Sequence, residues 1–183
     1  ANTLGGLAVG AGNVISGNGA NGIQIRDGVT STTIAGNIIG LNAAGTAPHA
    51  NIGVGIYVLD SDNNVIGGTV AAARNVIAGH PDTGIKIFGD GSDNNLVIGN
   101  YIGTDVTGTV AFANAEGITI GSSADNNIIG GLTVAERNII SGNTIGVYIR
   151  HAGTTGNIVR GNTIGADVNG ADLGNTLEGV LID

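Results

Sequence analysis

Residues 117–130 read GITIGSSADNNIIG, and this stretch contains the pattern that decides the fold. Its first four residues are of the type Gly-Ile-x-Ile. Segments of that type begin at Gly22, Gly55, Gly84, Gly117, Gly146 and Gly179, at intervals of 33, 29, 33, 29 and 33 residues. Self-similarity at a regular period is typical of a solenoid, whose repeats stack because each is too small to bury its own apolar face.

Two further motifs follow the same double period. They are Asn-Val/Ile-Ile-Ser/Ala-Gly, which begins at Asn13, Asn75 and Asn138, and Gly-Asn-x-Ile-Gly, which begins at Gly36, Gly99 and Gly161. Their spacing is 62 or 63 residues throughout. The chain is therefore built from a double repeat.

Each repeat has the pattern of short strands. Apolar positions, mostly Ile or Val, alternate over three to five residues and are bounded by Gly, Asn, Asp and Thr. Gly-Ile-x-Ile supplies one strand, Asn-Asn-x-Ile-Gly a second, and Asn-x-Ile-Ser-Gly or Tyr-Ile-Gly a third, with Gly and Asn at corners that need a positive φ. We therefore predict an all-β chain: a right-handed parallel β-helix (solenoid) of about six coils, with three short strands per coil, forming one domain over residues 1–183.

Asparagines recur at the predicted corners. Asn64, Asn95, Asn127 and Asn157 share one corner, and Asn13, Asn75 and Asn138 share another. Stacked amides can donate to and accept from the coils above and below, which predicts an asparagine ladder. His80 stands where other repeats have Asn18 and Asn143, so we expect it to form hydrogen bonds at a corner, with catalysis as the alternative.

Composition excludes several classes of protein. Six basic against fourteen acidic residues give a net charge of -8, which does not favour binding to nucleic-acid phosphates. The longest apolar runs, such as Ile56–Leu59, have four residues, far short of the roughly 20 that a membrane-spanning helix needs. With no cysteine there is no disulfide, no thiol nucleophile and no cysteine metal site.

The motifs resemble the right-handed parallel β-helix repeats of bacterial secreted and cell-surface proteins, in which IGG…RNVISGN and GNYIGTDxTGT segments alternate. The resemblance covers essentially the whole chain. It is closest in NNVIGGTVAAARNVIAG (residues 63–79), GNYIGTDVTGTVAFANAEGI (99–118) and NNIIGGLTVAERNIISGN (126–143). It implies a secreted or cell-surface scaffold and leaves the individual activity open.

The same fold also occurs in pectate lyases, polygalacturonases and uronate epimerases, but their motifs are mostly missing. Polygalacturonases would show Asn-Thr-Asp, Asp-Asp, Gly-His-Gly and Arg-x-Lys, whereas this chain has only Gly-Thr-Asp at 103–105, Gly-His-Pro at 79–81 and Ile-Lys-Ile at 85–87. It has no Asp-Asp pair, and no Asp-Pro of the kind found in alginate-type epimerases.

The middle residue of each Gly-Ile-x-Ile segment should point outward. This predicts one exposed row made of Gln24, Tyr57, Lys86, Thr119, Tyr148 and Leu181. With the flanking ionisable residues, the catalytic candidates are His80, Asp82, Lys86, Glu116 and Arg150. The candidates for binding are Tyr57, Lys86 and Tyr148; the alternative is a solvated face with scattered charges.

Two other sets of residues carry groups that could take part in catalysis or bind a metal ion. Glu116 and Glu178 occupy equivalent positions two coils apart, roughly 10 Å, which repeat identity explains better than paired-carboxylate hydrolysis does. In the loop at 165–172, Asp167, Asn169 and Asp172 offer oxygen ligands for calcium, with a solvated turn as the alternative. No other cofactor is indicated.

The sequence thus favours a non-catalytic, rigid and protease-resistant structural or adhesin-type module, whose partner would be a polysaccharide or another surface protein. The alternative is a polysaccharide lyase, hydrolase or uronate epimerase that uses the row around Lys86. A minor alternative is an ice-binding solenoid, although Thr-x-Thr does not recur on the predicted strands. Neither end carries a recognisable capping segment, so we expect a longer native polypeptide or end-to-end self-association.

Overall fold

The computed structural model describes residues 1–183 and contains three parallel six-stranded sheets. Sheet A consists of β1 (Thr3–Gly5), β4 (Thr33–Ala35), β7 (Val65–Gly67), β10 (Leu96–Ile98), β13 (Ile128–Ile129) and β16 (Ile158–Val159). Sheet B consists of β2 (Val14–Ile15), β5 (Ile38–Ile39), β8 (Val76–Ile77), β11 (Tyr101–Ile102), β14 (Ile139–Ile140) and β17 (Thr163–Ile164). Sheet C consists of β3 (Ile23–Ile25), β6 (Ile56–Leu59), β9 (Thr83–Phe88), β12 (Glu116–Gly121), β15 (Ile145–Ile149) and β18 (Val180–Ile182).

The chain visits sheets A, B and C in turn and repeats this circuit through all 18 strands. Three consecutive strands therefore make one coil, and coils 1 to 6 stack as a parallel β-solenoid. The predicted all-β class, coil number and three-strand repeat are confirmed, while the right-handed winding stays a prediction. The structure contains no helix with the length and hydropathy needed to cross a lipid bilayer.

The core lies between the three sheets and is filled mainly by isoleucine. Ile34 pairs with Ile66 in sheet A, and Ile85 pairs with Ile118 in sheet C, so like side chains stack from coil to coil. All four of these side chains are fully buried. β-Branched residues suit this position because their stiff side chains pack well against their neighbours on the pleated surface.

Three side-chain ladders occupy the corners. The A–B ladder lies before sheet B and contains Asn13, Asn37, Asn75, Asn100, Asn138 and Asn162. The B–C ladder lies before sheet C and contains Asn18, Asn51, His80, Asn114, Asn143 and Asn175. The C–A ladder lies before sheet A and contains Asn64, Asn95, Asn127 and Asn157, and the backbone N–H of Thr32 donates to its first member, Asn64.

The two asparagines of each Asn-Asn pair at the C–A corner have different roles. The first asparagine adopts the left-handed conformation, with φ of 56° at Asn63 and 57° at Asn126, which asparagine tolerates better than most residues. The second joins the ladder: Asn95 donates from its Nδ2 to Asn127 Oδ1 at 3.0 Å. The predicted asparagine ladder is thus confirmed.

The loops alternate between even and odd coils, which explains the double repeat. Even coils carry a hairpin between sheets B and C, closed by the bridges Leu41–Pro48, Thr104–Ala111 and Ala166–Asp172. Odd coils 3 and 5 instead carry a 3-10 turn between sheets A and B, at Ala71–Ala73 and Val134–Glu136. The hairpins also bond to each other, because Val106 N–H donates to Gly45 O at 3.2 Å and Val168 N–H donates to Gly108 O at 3.2 Å.

Candidate functional site

The outer face of sheet C carries the predicted row of side chains. Register pairs Gln24 with Tyr57, Tyr57 with Lys86, Lys86 with Thr119, Thr119 with Tyr148, and Tyr148 with Leu181. Lys86 and Tyr148 are half-buried, whereas Thr119 is fully buried. The row is continuous in register, but its centre is covered by neighbouring side chains.

Cations and aromatic rings alternate at the centre of this face. Lys86 Nζ lies 5.9 Å from the ring centroid of Tyr57 and 4.9 Å from that of Phe88. Arg150 Cζ lies 5.3 Å from the centroid of Phe88 and 4.9 Å from that of Tyr148. These are cation–π distances, and they place Phe88 between the two cations. Sequence reasoning missed Phe88, although strand alternation places it on the same face as Lys86, two residues earlier.

Glu116 is the carboxylate nearest to these cations. Its Oε1 lies 3.6 Å from Arg150 Nη1, and its Oε2 accepts hydrogen bonds from the hydroxyls of Thr83 and Thr119. Thr83 Oγ1 also lies 3.0 Å from Asp82 Oδ1, so its single proton is shared between two carboxylates. The structure thus brings Asp82, Glu116 and Arg150 together, with Lys86 on the adjoining strand.

The chemistry available to this cluster is limited by its own contacts. Both oxygens of Glu116 already face donors, and Arg150 is held by Glu116. None of the three cavities of the molecule includes Glu116 or Lys86 in its lining. Binding and catalytic sites are usually concave and exclude water, and none of these cavities lies at this cluster. Glu116 pairs with Ile145 in coil 5. The register of coil 6 places Ile145 between Glu116 and Glu178, so the two carboxylates are not neighbours.

The tyrosines of the row remain neutral. Burial, followed by the charges of Asp60 and Asp82, raises the pKa of Tyr57 above its usual value. The hydrogen bond from Tyr148 to Asp183, 2.8 Å from hydroxyl to carboxylate, is the main cause that raises the pKa of Tyr148. Neither phenol is prepared to act as a base.

His80 lies in the B–C ladder and is 1% exposed, so it does not reach the outer face of sheet C. Asn51 Nδ2 lies 3.1 Å from its Nε2, and Asn114 Oδ1 lies 3.0 Å from its Nδ1. Because an amide nitrogen only donates and an amide oxygen only accepts, the neutral ring carries its proton on Nδ1. The expected corner hydrogen bonds are therefore present.

His80 should make the solenoid sensitive to mild acid. Burial is the main cause that lowers the pKa of His80 below 6.5. Below pH 6.5 the unfolded chain then binds a proton that the folded chain does not, so stability is lost as the pH falls from 6.5 towards the folded-state pKa. We expect His80→Asn, which restores the ladder residue, to remove this loss when urea midpoints are compared at pH 7.5 and 5.

The matched control is His49→Asn, which changes an exposed histidine of the first hairpin and leaves His80 in place. It should retain the acid-induced loss. Equal pH dependence in His80→Asn and the unmodified chain would contradict the assignment. The carboxylates of Asp105 and Asp167 do not interfere with this measurement. Their pKa values are lowered from 3.8, so their contributions to the stability of the fold are lost only at more acidic pH.

The calcium candidates close the last hairpin with their own hydrogen bonds. Asp167 Oδ1 accepts from the backbone N–H groups of Asn169 and Ala171, both at 2.8 Å, and the Ala171 amide is the main cause that lowers the pKa of Asp167. Asp172 Oδ1 accepts from Gly174 N–H at 3.2 Å. The structure contains no group of three or more acidic, histidine or cysteine side chains arranged to hold a metal ion.

Asn42 plays the same part in the first hairpin as Asp167 does in the last. Its Oδ1 accepts from the backbone N–H groups of Thr46 and Ala47, at 2.8 and 3.3 Å. An amide oxygen and a carboxylate oxygen can both fill this role. Loop closure alone therefore explains why the first hairpin has an asparagine where the last has an aspartate.

No family model, curated protein or solved structure matches the chain.

Proposed function

We propose that this protein is a non-catalytic structural module: a rigid, protease-resistant rod that holds other parts of a secreted or cell-surface protein apart. The observation that supports it best is that ladders occupy all three corners and connect successive coils. The asparagine side chains that recur in the motifs are thereby occupied by hydrogen bonds that stabilise the stack. The resemblance to bacterial surface repeats supports the extracellular location.

The contacts on the outer face of sheet C support the same proposal. Glu116, Arg150, Thr83 and Thr119 bond to one another between neighbouring strands. Such contacts stabilise stacking and leave few free groups for acid–base chemistry. The loop carboxylates likewise close hairpins, so calcium is not needed to explain them.

A second candidate function is action on a polysaccharide at this face. It is favoured by one observation: Lys86 and Arg150 flank Phe88, with Glu116 within 3.6 Å of Arg150. An acid, a cation and a ring on neighbouring coils are groups that a lyase, hydrolase or epimerase would use. An adhesin would use the same groups for binding alone.

One experiment separates these functions. The protein is incubated with soluble uronate polymers and neutral glycans, with and without calcium, while product release is measured, and its survival in proteinase K is followed in parallel. We expect no turnover, and survival under conditions that digest an unfolded control, because the strands pair with those of the adjacent coils and the ladders join the corners. Turnover abolished by Lys86→Ala, but retained by Arg26→Ala at an exposed ion pair, would overturn the structural proposal.

A further inference from the structure

A groove runs along the outer face of sheet B, parallel to the solenoid axis. The connections between sheets A and B, including Ala71 and Val134, form one wall, and the hairpins, through Val106 and Val168, form the other. Two cavities of about 270 and 150 Å³ lie along it, and both are lined by Arg74. They therefore meet at Arg74 and together extend over most of the stack.

Arg74 is stacked on the floor of this groove. Its Cζ lies 4.0 Å from the ring centroid of Tyr101, which is 6% exposed. Stacking holds the guanidinium flat and leaves the N–H groups at its edge free to bind a planar anion. Arg74 Nε is buried and has no hydrogen-bond partner. The donors that Arg74 offers to a ligand in the groove are therefore its terminal guanidinium N–H groups, since the buried Nε is out of a ligand's reach.

A second arginine lines the same groove. Arg137 lines the smaller cavity, and its only side-chain hydrogen bond is from Nε to Gly161 O at 3.3 Å. The ion pairs of the molecule are Arg26–Asp27 and Arg150–Glu116, so neither groove arginine has a carboxylate partner. The adjacent Glu136 is turned towards its own loop, where its Oε2 accepts from the N–H groups of residues 132 and 133.

We propose that this groove binds a linear acidic polysaccharide, with its carboxylate or sulfate groups held by Arg74 and Arg137. Two arginines without carboxylate partners in one groove form a local positive patch that complements a polyanion. They lie two coils apart, roughly 10 Å along the axis, which is about the length of a disaccharide. The exposed side chains of Val134 and Val168 supply the apolar walls against which sugar rings pack.

This site is independent of the proposed structural role, because the coils would still stack as a rigid rod if the groove bound nothing. It also differs from the outer face of sheet C, since no residue of the cluster around Glu116 lines either cavity. A ligand held here would lie along several coils at once. The groove therefore gives the solenoid a binding function that its core motifs do not require.

The test is a titration with polygalacturonate and with dextran sulfate, using neutral dextran as the reference polymer, at low ionic strength and by calorimetry. We expect saturable binding to at least one polyanion, and the two polymers distinguish a carboxylate from a sulfate. Arg137→Gln should weaken it about ten-fold or more, because hydrogen bonds to charged groups are the stronger ones. Arg137 is exposed, so this variant should fold.

Two further variants sharpen the result. Arg26→Gln makes the same change in net charge outside the groove and should leave binding nearly unchanged. Arg74→Lys keeps the charge but loses the planar donors, and should weaken binding if its thermal unfolding matches the unmodified chain. Absence of binding to both polyanions, or equal loss in Arg137→Gln and Arg26→Gln, would overturn the proposal.

Discussion

Replacing Asn100 with alanine should lower the free energy of unfolding by about 3–6 kcal/mol, since each buried polar group left without a partner costs about 1–3 kcal/mol. Asn100 Oδ1 accepts from the side-chain and backbone N–H groups of Asn75, at 2.9 and 3.3 Å. Its Nδ2 donates to Ile66 O at 2.9 Å and to Asn138 Oδ1 at 3.1 Å. Alanine removes all of these bonds inside a corner that water does not reach. Urea denaturation measures the loss.

Asn2→Ala is the matched control, because Asn2 is exposed and lies outside the ladders. We expect it to change the free energy of unfolding by less than about 0.5 kcal/mol. If Asn100→Ala changed the free energy of unfolding as little as this control does, the A–B ladder would not be a source of the stability of the fold.

The second large effect is expected from Ile118→Ala, at about 2–5 kcal/mol. Ile118 is 0% exposed and pairs with Ile85 on one side and Val147 on the other. Truncation leaves a cavity between three successive coils of the core. Because the strands of each coil pair only with those of the adjacent coils, weakening coil 4 reduces both of the strand interfaces that join the two halves of the stack.

Denaturation of this variant should therefore also become less cooperative, with a lower m-value or two transitions. Ile52→Ala provides the comparison, since Ile52 is 70% exposed and its truncation removes no core contact. A single transition in Ile118→Ala, with the midpoint and slope of the unmodified chain, would contradict the expectation.

Most of the fold could be predicted because the strand motifs have a period that no helix would produce. The ladders were predicted only in part. Asn64 and Asn75 lie in recurring motifs, but Asn51 and Asn114 lie in loops of variable sequence. Their position in the B–C ladder is set by the number of residues that separate them from the next strand of sheet C, and a search for recurring motifs does not measure this number. His80 was recognised because its repeat position is otherwise filled by asparagine.

The candidate site was less predictable, because side-chain contacts depend on more than alternation. The row through Lys86 follows from strand period, yet Thr83 and Phe88 complete the cluster from positions outside the middle of the motif. The groove beside Arg74 depends on how hairpins lie over sheet B. The local sequence does not predict that arrangement, since the hydrogen bond from Val106 N–H to Gly45 O joins hairpins that are separated by an entire coil.

The hydrogen bonds between hairpins of alternate coils have a consequence for how such a rod can change in length. Val106 bonds to Gly45 and Val168 bonds to Gly108 only because one coil without a hairpin separates each pair. Removing a single coil would place two hairpins on adjacent coils, at about half of their present separation, and crowd them against each other. Gene duplication or deletion can therefore lengthen or shorten this protein smoothly only in steps of two coils, roughly 10 Å each.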